Sequence, residues 1–182
     1  MPSSVDLVKK VSLIGDPGVG KTSLIRRFVL DQFSDDYLST IGAKVTKKEK
    51  YIDVKEEDLR IHLILMIWDV AGQKEYQQFH EMYLQGMEGV LAVCDLSRRN
   101  TFDRLSDALA LVAKHAPDIP MVFLLNKCDL VDPATVDLRE VNAQAARKGI
   151  PVLPTSARTG QNVEVAFSKL TMLIIRDWLA SR

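Results

Sequence analysis

The stretch that most constrains this chain is Gly15-Asp16-Pro17-Gly18-Val19-Gly20-Lys21-Thr22, which reads Gly-x4-Gly-Lys-Thr. This is the Walker A pattern, a loop whose consecutive backbone N–H groups form a nest for an anion. Val11-Ser12-Leu13-Ile14 before it is a short apolar run with strand character, and Ser23 to Leu30 after it carries apolar residues at helical spacing. Strand, loop and helix in that order suit the motif, because the positive end of the helix then points at the nest. Lys21 is placed to reach β- and γ-phosphates, and the Thr22 hydroxyl to ligate Mg²⁺. By itself the loop indicates a nucleoside triphosphate and leaves open which one, and for what purpose.

Bulk properties narrow the setting. A chain of 182 residues is expected to form one domain over 1–182 and can bury a real core. Lys plus Arg and Asp plus Glu are both 24, so the formal charge is zero and a nucleic-acid partner is not expected. Cys94 and Cys128 read as free thiols in a reducing compartment, which points to the cytoplasm. The N-terminal residues lack the apolar core of a signal peptide. The longest apolar run, Leu63 to Trp68, is too short to span a bilayer. The tail carries no cysteine for prenylation, so no membrane anchor is expected in this chain. A monomer is expected.

Strand-like and helix-like segments alternate, which predicts an α/β fold with a largely parallel sheet. The first helix is expected to end near Gln32-Phe33, with a loop over Ser34 to Gly42. A strand pair follows. Its first member begins at Lys44-Val45-Thr46-Lys47-Lys48. In its second, Leu59, Ile61, Leu63, Leu65 and Ile67 alternate first with Arg60 and His62, then with Ile64 and Met66. That change predicts a strand passing from half-exposed to fully buried. Tyr76, Phe79, Met82 and Tyr83 suggest a short helix. Gly89 to Asp95 and Pro120 to Leu125 read as buried strands. Phe102, Leu105, Leu109 and Val112 mark an amphipathic helix, as do Leu138, Val141 and Ala145 ahead of Gly149. Ile150 to Val152-Leu153 is a short strand that Pro151 assigns to a sheet edge. Val163, Phe167, Leu170, Ile174 and Trp178 stripe a final helix with Asn162 as N-cap.

Three further constellations narrow the ligand. Asp69 ends a buried strand, the Walker B arrangement, where a carboxylate can hold Mg²⁺ through a water. Gly72 then lets backbone approach a terminal phosphate, and Gln73 supplies an amide able to orient a water. Asn126-Lys127-Cys128-Asp129 follows another buried strand. The Asp129 carboxylate can accept from guanine N1–H and the exocyclic amine, while adenine would leave it desolvated and unpaired, a discrimination of about 10⁴ to 10⁵. Asn126 and the stem of Lys127 would frame the base and brace the phosphate loop. Thr155-Ser156-Ala157 ends the next strand, where the Ala157 N–H can reach guanine O6. Every one of these motifs follows a strand, so all converge on one sheet edge.

Taken together, these motifs resemble the Ras superfamily of small GTPases over nearly the whole chain. Ser39-Thr40-Ile41-Gly42 and the Trp68-Asp69 pair resemble the Rab branch. The resemblance implies a P-loop NTPase G domain, with a six-stranded, mostly parallel sheet flanked by five helices. It implies nucleotide binding by Asp16, Gly18, Val19, Gly20, Lys21, Thr22 and Ser23 of the loop, by Phe33 against the base and by Tyr37 over the phosphates. Thr40 and Gly72 would bind at the terminal phosphate. Asn126, Lys127, Asp129, Leu130, Ser156, Ala157 and Arg158 would bind around the base. It implies Mg²⁺ held by Thr22, Thr40 and Asp69, and hydrolysis carried by Gln73, Lys21 and Thr40. GTP and GDP would be the ligands, with effector, exchange-factor and GTPase-activating proteins as partners at the switch regions.

Four departures stand out. Pro17 replaces a Gly or Ser and removes one loop N–H. Val70 replaces a common Thr, and Arg158 a usual Lys whose stacking role a guanidinium can fill. The stretch from Thr40 to Asp69 is longer than the family norm. The excess is assigned to a solvated hairpin around 51–59. The missing lipid-accepting cysteine means either a naturally unlipidated chain, as in prokaryotic relatives, or a removed tail. Arg26, Arg27, Arg98 and Arg99 are read as surface or helix-end residues, so no cis arginine finger is evident and slow intrinsic turnover is expected. A module that binds nucleotide with negligible hydrolysis stays open because of Pro17. A phosphotransferase or ATPase is opposed by Asn126 to Asp129. His62, His80 and His115 are too scattered for a metal hydrolase.

Overall fold

The computed structural model describes residues 3–34, 40, 42–70 and 85–182. The described elements run β1 (Ser3–Ile14), α1 (Lys21–Leu30), β2 (Ala43–Val54), β3 (Leu59–Val70), β4 (Gly89–Asp95), α2 (Asn100–His115), β5 (Met121–Asn126), α3 (Arg139–Arg147), β6 (Val152–Pro154) and α4 (Val163–Ala180). They form an α/β fold on one six-stranded sheet of order β2-β3-β1-β4-β5-β6. The pairs β1–β3, β1–β4, β4–β5 and β5–β6 are parallel, and β2–β3 is antiparallel. The fifth helix, expected over 76–83, lies outside the described residues.

Alternation within the central strands sorts side chains into two cores. All of β4 is buried. Its Leu91 and Val93, with Leu13, Val122 and Leu124, pack against Leu24, Ile25 and Phe28 of α1 and Ala166, Phe167 and Leu170 of α4. Its Val90, Ala92 and Cys94, with Phe123 and Leu125, pack against Phe102, Leu105 and Leu109 of α2 and Val141 and Ala145 of α3. A fully buried Leu or Phe is worth roughly 1.5–3 kcal/mol, so the sheet holds its helices largely through these two layers. Phe28 and Phe167 stack at 3.9 Å, locking α1 to α4. A Cβ at Gly89 would sit 2.6 Å from Ile174 Cδ1, which is why the strand opens on a glycine where α4 crosses it.

Several boundaries differ from the sequence reading. β1 starts at Ser3, eight residues before Val11, because Val5 and Leu7 alternate inward and pair with β3 from Ser3↔Leu59 onward. α1 ends at Leu30, with Asp31 in the left-handed region at φ 52, two residues short of the expected end. β3 does not become buried on both sides. Leu59, Ile61, Leu63, Leu65 and Ile67 face the core, while Ile64, Met66 and Trp68 stay half-exposed on the other face. The extra length between Thr40 and Asp69 is a longer hairpin, as expected, with residues 51, 53 and 55–58 exposed, and it is sheet almost to its tip. β2 and β3 stay paired from Ala43↔Val70 to Val54↔Leu59, leaving only the short 3-10 turn Lys55–Glu57 and Asp58 to reverse the chain. Ile52 and Val54 pack against the α1/α4 core and hold this extension as sheet. Asn162 occupies the N-cap of α4 but makes no cap bond, since its amide donates to the Pro154 carbonyl at 2.8 Å. Short β6 lies at the sheet edge with Pro151 just before it, as expected.

Candidate functional site

Five parallel strands point their carboxyl ends at one edge, and strand order reverses at β1, which has β3 on one side and β4 on the other. Ligands of open α/β sheets bind at such a reversal. The Walker A loop leaves β1 there. Its glycines are needed for contact as well as for turning. At Gly15 a Cβ would meet the Val93 carbonyl oxygen at 2.1 Å, and at Gly20, φ 102, it would meet Asn126 Nδ2 at 2.3 Å. Asn126, buried at the end of β5, donates to the Val19 carbonyl at 2.8 Å, so the brace expected between base motif and phosphate loop is present. Val19 is fully buried, and Gly18 and Ser23 flank it on the loop and the first turn of α1.

The expected metal ligands meet. Thr22 Oγ1 donates to Asp69 Oδ2 at 2.5 Å and lies 2.9 Å from Thr40 Oγ1. Asp69 is buried and its other oxygen, Oδ1, has no hydrogen-bond partner among the described residues. Burial raises the Asp69 carboxyl above its ordinary value, against the Thr22 hydrogen bond and the charge of Lys21. Two hydroxyls and a carboxylate with a spare buried oxygen are a hard-oxygen donor set, which fits a Mg²⁺ ion. Lys21 is buried beside them. Its ammonium donates to the Gly15 and Asp16 carbonyls at 2.8 and 3.0 Å, and burial pushes it down to about 8. The Asp16 side chain turns away, pairing with Arg104 at 3.1 Å.

The base motifs form a second cluster. The Cys128 N–H donates to the Thr155 carbonyl at 3.1 Å, joining the two loops. Thr155 Oγ1 and the Ala157 N–H both lie 3.3 Å from Asn126 Oδ1. The Ser156 N–H donates to the Gln161 carbonyl at 3.0 Å, which closes the turn. Asp129 and Arg158 are exposed, as is Leu130 at 56%. Lys127 takes the left-handed region at φ 65. Its ammonium pairs with Asp95 at 2.6 Å, because that carboxylate ends β4 directly beside it. Phe33 is half-buried and packs against the α1/α4 core. Tyr37, Gly72 and Gln73 lie outside the described residues.

Three residues were not read as part of the site. Asp95 is almost fully buried and binds Ser97, Arg98 and Lys127. Burial alone would raise its carboxyl, yet those bonds together hold it below the ordinary value. It ends an apolar strand as Asp69 does, so the same signal was available. Arg98 donates to Asp95 at 2.8 Å and to the Pro17 carbonyl at 3.1 Å. Arg27 donates to the Ala157 and Arg158 carbonyls at 2.9 and 2.6 Å. Arg27, in the last turn of α1, and Arg98, 41% exposed just ahead of α2, hold the helix-end places expected of them, and each adds a bond to a carbonyl far away in sequence. Surface placement holds for Arg26, which is exposed, and for Arg99, whose partners Asp137 and Glu140 are exposed as well.

Cys94 and Cys128 are both free, and burial pushes Cys94 up to about 12. No group of three or more His, Cys, Asp or Glu suited to a metal ion occurs among the described residues. No described helix is long and apolar enough to cross a membrane.

Comparison with known proteins places this geometry in context. The model of the Ras family matches residues 10–176. The chain is 36% identical to "Ras-related protein Rab11A" of Lotus japonicus, over 91% of this chain and 71% of that protein. It is 35% identical to "GTP-binding protein YPTM1" of Zea mays, over 100% of this chain and 85% of that one. It is 35% identical to "Ras-related protein Rab-8B" of Homo sapiens, over 93% and 80%.

Proposed function

The chain belongs to the Ras family of small GTPases as a Rab-like, GTP-hydrolysing member, and on that premise we propose that it is a Mg²⁺-dependent switch run by slow GTP hydrolysis. The observation that carries this reading is the meeting of Thr22, Thr40 and Asp69 beside buried Lys21, with an Asp69 oxygen left over. Thr22, Thr40 and Asp69 would hold Mg²⁺, which when bound neutralises charge on the β- and γ-phosphates. Lys21 exchanges its loop carbonyls for phosphate oxygens, and a nearby anion restores the proton affinity that burial takes from it. Thr40 reports the terminal phosphate to the first switch loop, and Gly72 to the second. Gln73 orients the attacking water. Asp129 reads the guanine edge, with the Ala157 N–H at O6.

Arg98 is committed to Asp95 and Pro17, so it is not a free arginine finger, and unassisted turnover on the order of 10⁻⁴ to 10⁻² s⁻¹ is expected, the range of unassisted and cis-arginine members of this class. A partner protein supplies the missing cation, and effector and exchange proteins would act on the same switch segments. Pro17 is the one feature that favours the other reading, a module that holds nucleotide without turning it over. Phosphate release from GTP, with and without Gln73→Leu, separates the two. A Gln73-dependent rate supports the switch, and no release from either protein supports the module.

A further inference from the structure

The base-reading turn is held from behind by a residue that is not itself assigned to the ligand. Arg27 sits on α1, six positions after Lys21, with only 19% of its side chain exposed. Its Nε donates to the Ala157 carbonyl at 2.9 Å and its Nη2 to the Arg158 carbonyl at 2.6 Å. Its Nη1 donates to Asp31, to the carboxylate at 3.1 Å and the carbonyl at 3.3 Å. Every donor-bearing nitrogen of the guanidinium is therefore engaged. Asp31, the left-handed residue that ends α1, aims the fork. On the far side of the turn Gly160 lies against the Arg27 stem, where a Cβ would be 3.8 Å from Cδ.

A planar fork that grips two successive carbonyls fixes the intervening peptide in position and in rotation. The peptide so gripped joins Ala157 to Arg158, which anchors the Ala157 Cα and, through it, the Ala157 N–H on the preceding peptide. From inside, Asn126 Oδ1 lies 3.3 Å from the Ala157 N–H, at the long end of hydrogen-bond range, so the inner hold is weak and the outer one strong. We propose that Arg27 is a positioning residue for base selection, setting the Ala157 amide at the O6 edge of a guanine. This rests on the guanine reading above. Because Lys21 and Thr22 lie on the first turn of the same helix, Arg27 also makes α1 a strut between the phosphate end and the base end of the site.

The test compares three diphosphates in the presence of Mg²⁺. GDP carries O6, N1–H and the 2-amino group, inosine diphosphate keeps O6 and N1–H, and 2-aminopurine riboside diphosphate keeps only the amino group. Arg27→Met retains an apolar stem and removes the fork. It is expected to weaken GDP and inosine diphosphate by the same factor, about tenfold, and to change 2-aminopurine riboside diphosphate less than twofold. Arg27→Lys keeps the charge but not the fork, and is expected to give the same pattern at about threefold. This variant carries the test where Arg27→Met does not fold. An equal loss for all three nucleotides, or a loss confined to the 2-aminopurine compound, overturns the proposal. Wild-type protein that binds GDP and the 2-aminopurine compound alike overturns the guanine reading itself, whatever Arg27 does.

Discussion

The two ends of the site are built on opposite principles. At the base end, protein groups satisfy one another. The Cys128–Thr155, Ser156–Gln161, Asn126–Val19 and Arg27–Ala157 bonds make a closed frame in which few buried polar atoms are left over. At the phosphate end the protein keeps charges it cannot satisfy well. Lys21 is buried against two loop carbonyls, and Asp69 holds one oxygen without a described partner. Burying such groups costs stability unless something else pairs with them. The difference teaches where ligand binding energy is stored and where selectivity is set. On the proposed reading the phosphate end gives strength, through groups that are already buried. On the same reading the base end gives discrimination, through a frame whose bonds are already made.

Substitutions that break the contrast should act with opposite signs on binding and on stability at the phosphate end, and with the same sign at the base end. Lys21→Met has the largest expected effect. Losing two charge-assisted bonds should weaken GDP by about 10² to 10⁴, measured by displacement of a fluorescent nucleotide. The nucleotide-free protein should become more stable by about 1 kcal/mol near neutral pH, since an unfavourably buried ammonium is gone. The pH dependence fixes the sign. Burial lowers Lys21 from 10.5 to about 8, so between those values the unfolded chain holds a proton that the folded chain has released. Stability of the nucleotide-free wild type should therefore gain a rising contribution across that window, which denaturation curves of Lys21→Met should lack.

Asp69→Asn comes next. It should abolish the effect of Mg²⁺ removal on GDP affinity, which calorimetry with and without a chelator reads. Because burial raises the Asp69 carboxyl, the folded chain binds the proton more tightly, and the wild type loses stability as pH rises through the acid range. That loss should shrink in the variant. At the base end, Asn126→Ala should lower both quantities, costing about 1–3 kcal/mol by leaving the Val19 carbonyl unpaired and weakening guanine nucleotides with it. The smallest effect is expected for Pro17→Gly, which leaves the Arg98 contact to the residue 17 carbonyl available. Intrinsic phosphate release should change by less than about threefold, while release stimulated by a GTPase-activating protein should change more if, as we propose, the partner's arginine reaches the phosphates beside the Pro17 ring.

How much of this was legible in the sequence follows the range of the interactions involved. The phosphate loop, Asp69 and Asn126 to Asp129 announce themselves because each needs a strand before it and a fixed local spacing. The topology then carries their loops to one edge. The start of β1 was missed although Val5 and Leu7 alternate correctly, since the purely apolar run at Val11 to Ile14 is the louder signal. The longer hairpin is legible because Lys55, Glu56, Glu57 and Asp58, all exposed, mark its tip. Ile52 and Val54 were the two inward residues that made it sheet. Asp31 and Asp95 give Arg27 and Arg98 local ion-pair partners, but their bonds to the site loops had no local signature. Their partners at Ala157 and Pro17 lie 130 and 81 positions away, and an arginine is placed by its partner, not by its neighbours in sequence.

The central claim is that one purine nucleotide joins the two ends, its base on Asp129 and its phosphates on Lys21. Calorimetric titration of nucleotide-free protein with GDP and with ADP, in Mg²⁺, tests this most directly. The account predicts that GDP binds tighter by about 10⁴ or more, because ADP leaves the Asp129 carboxylate unpaired. Equal affinities for the two diphosphates would contradict it.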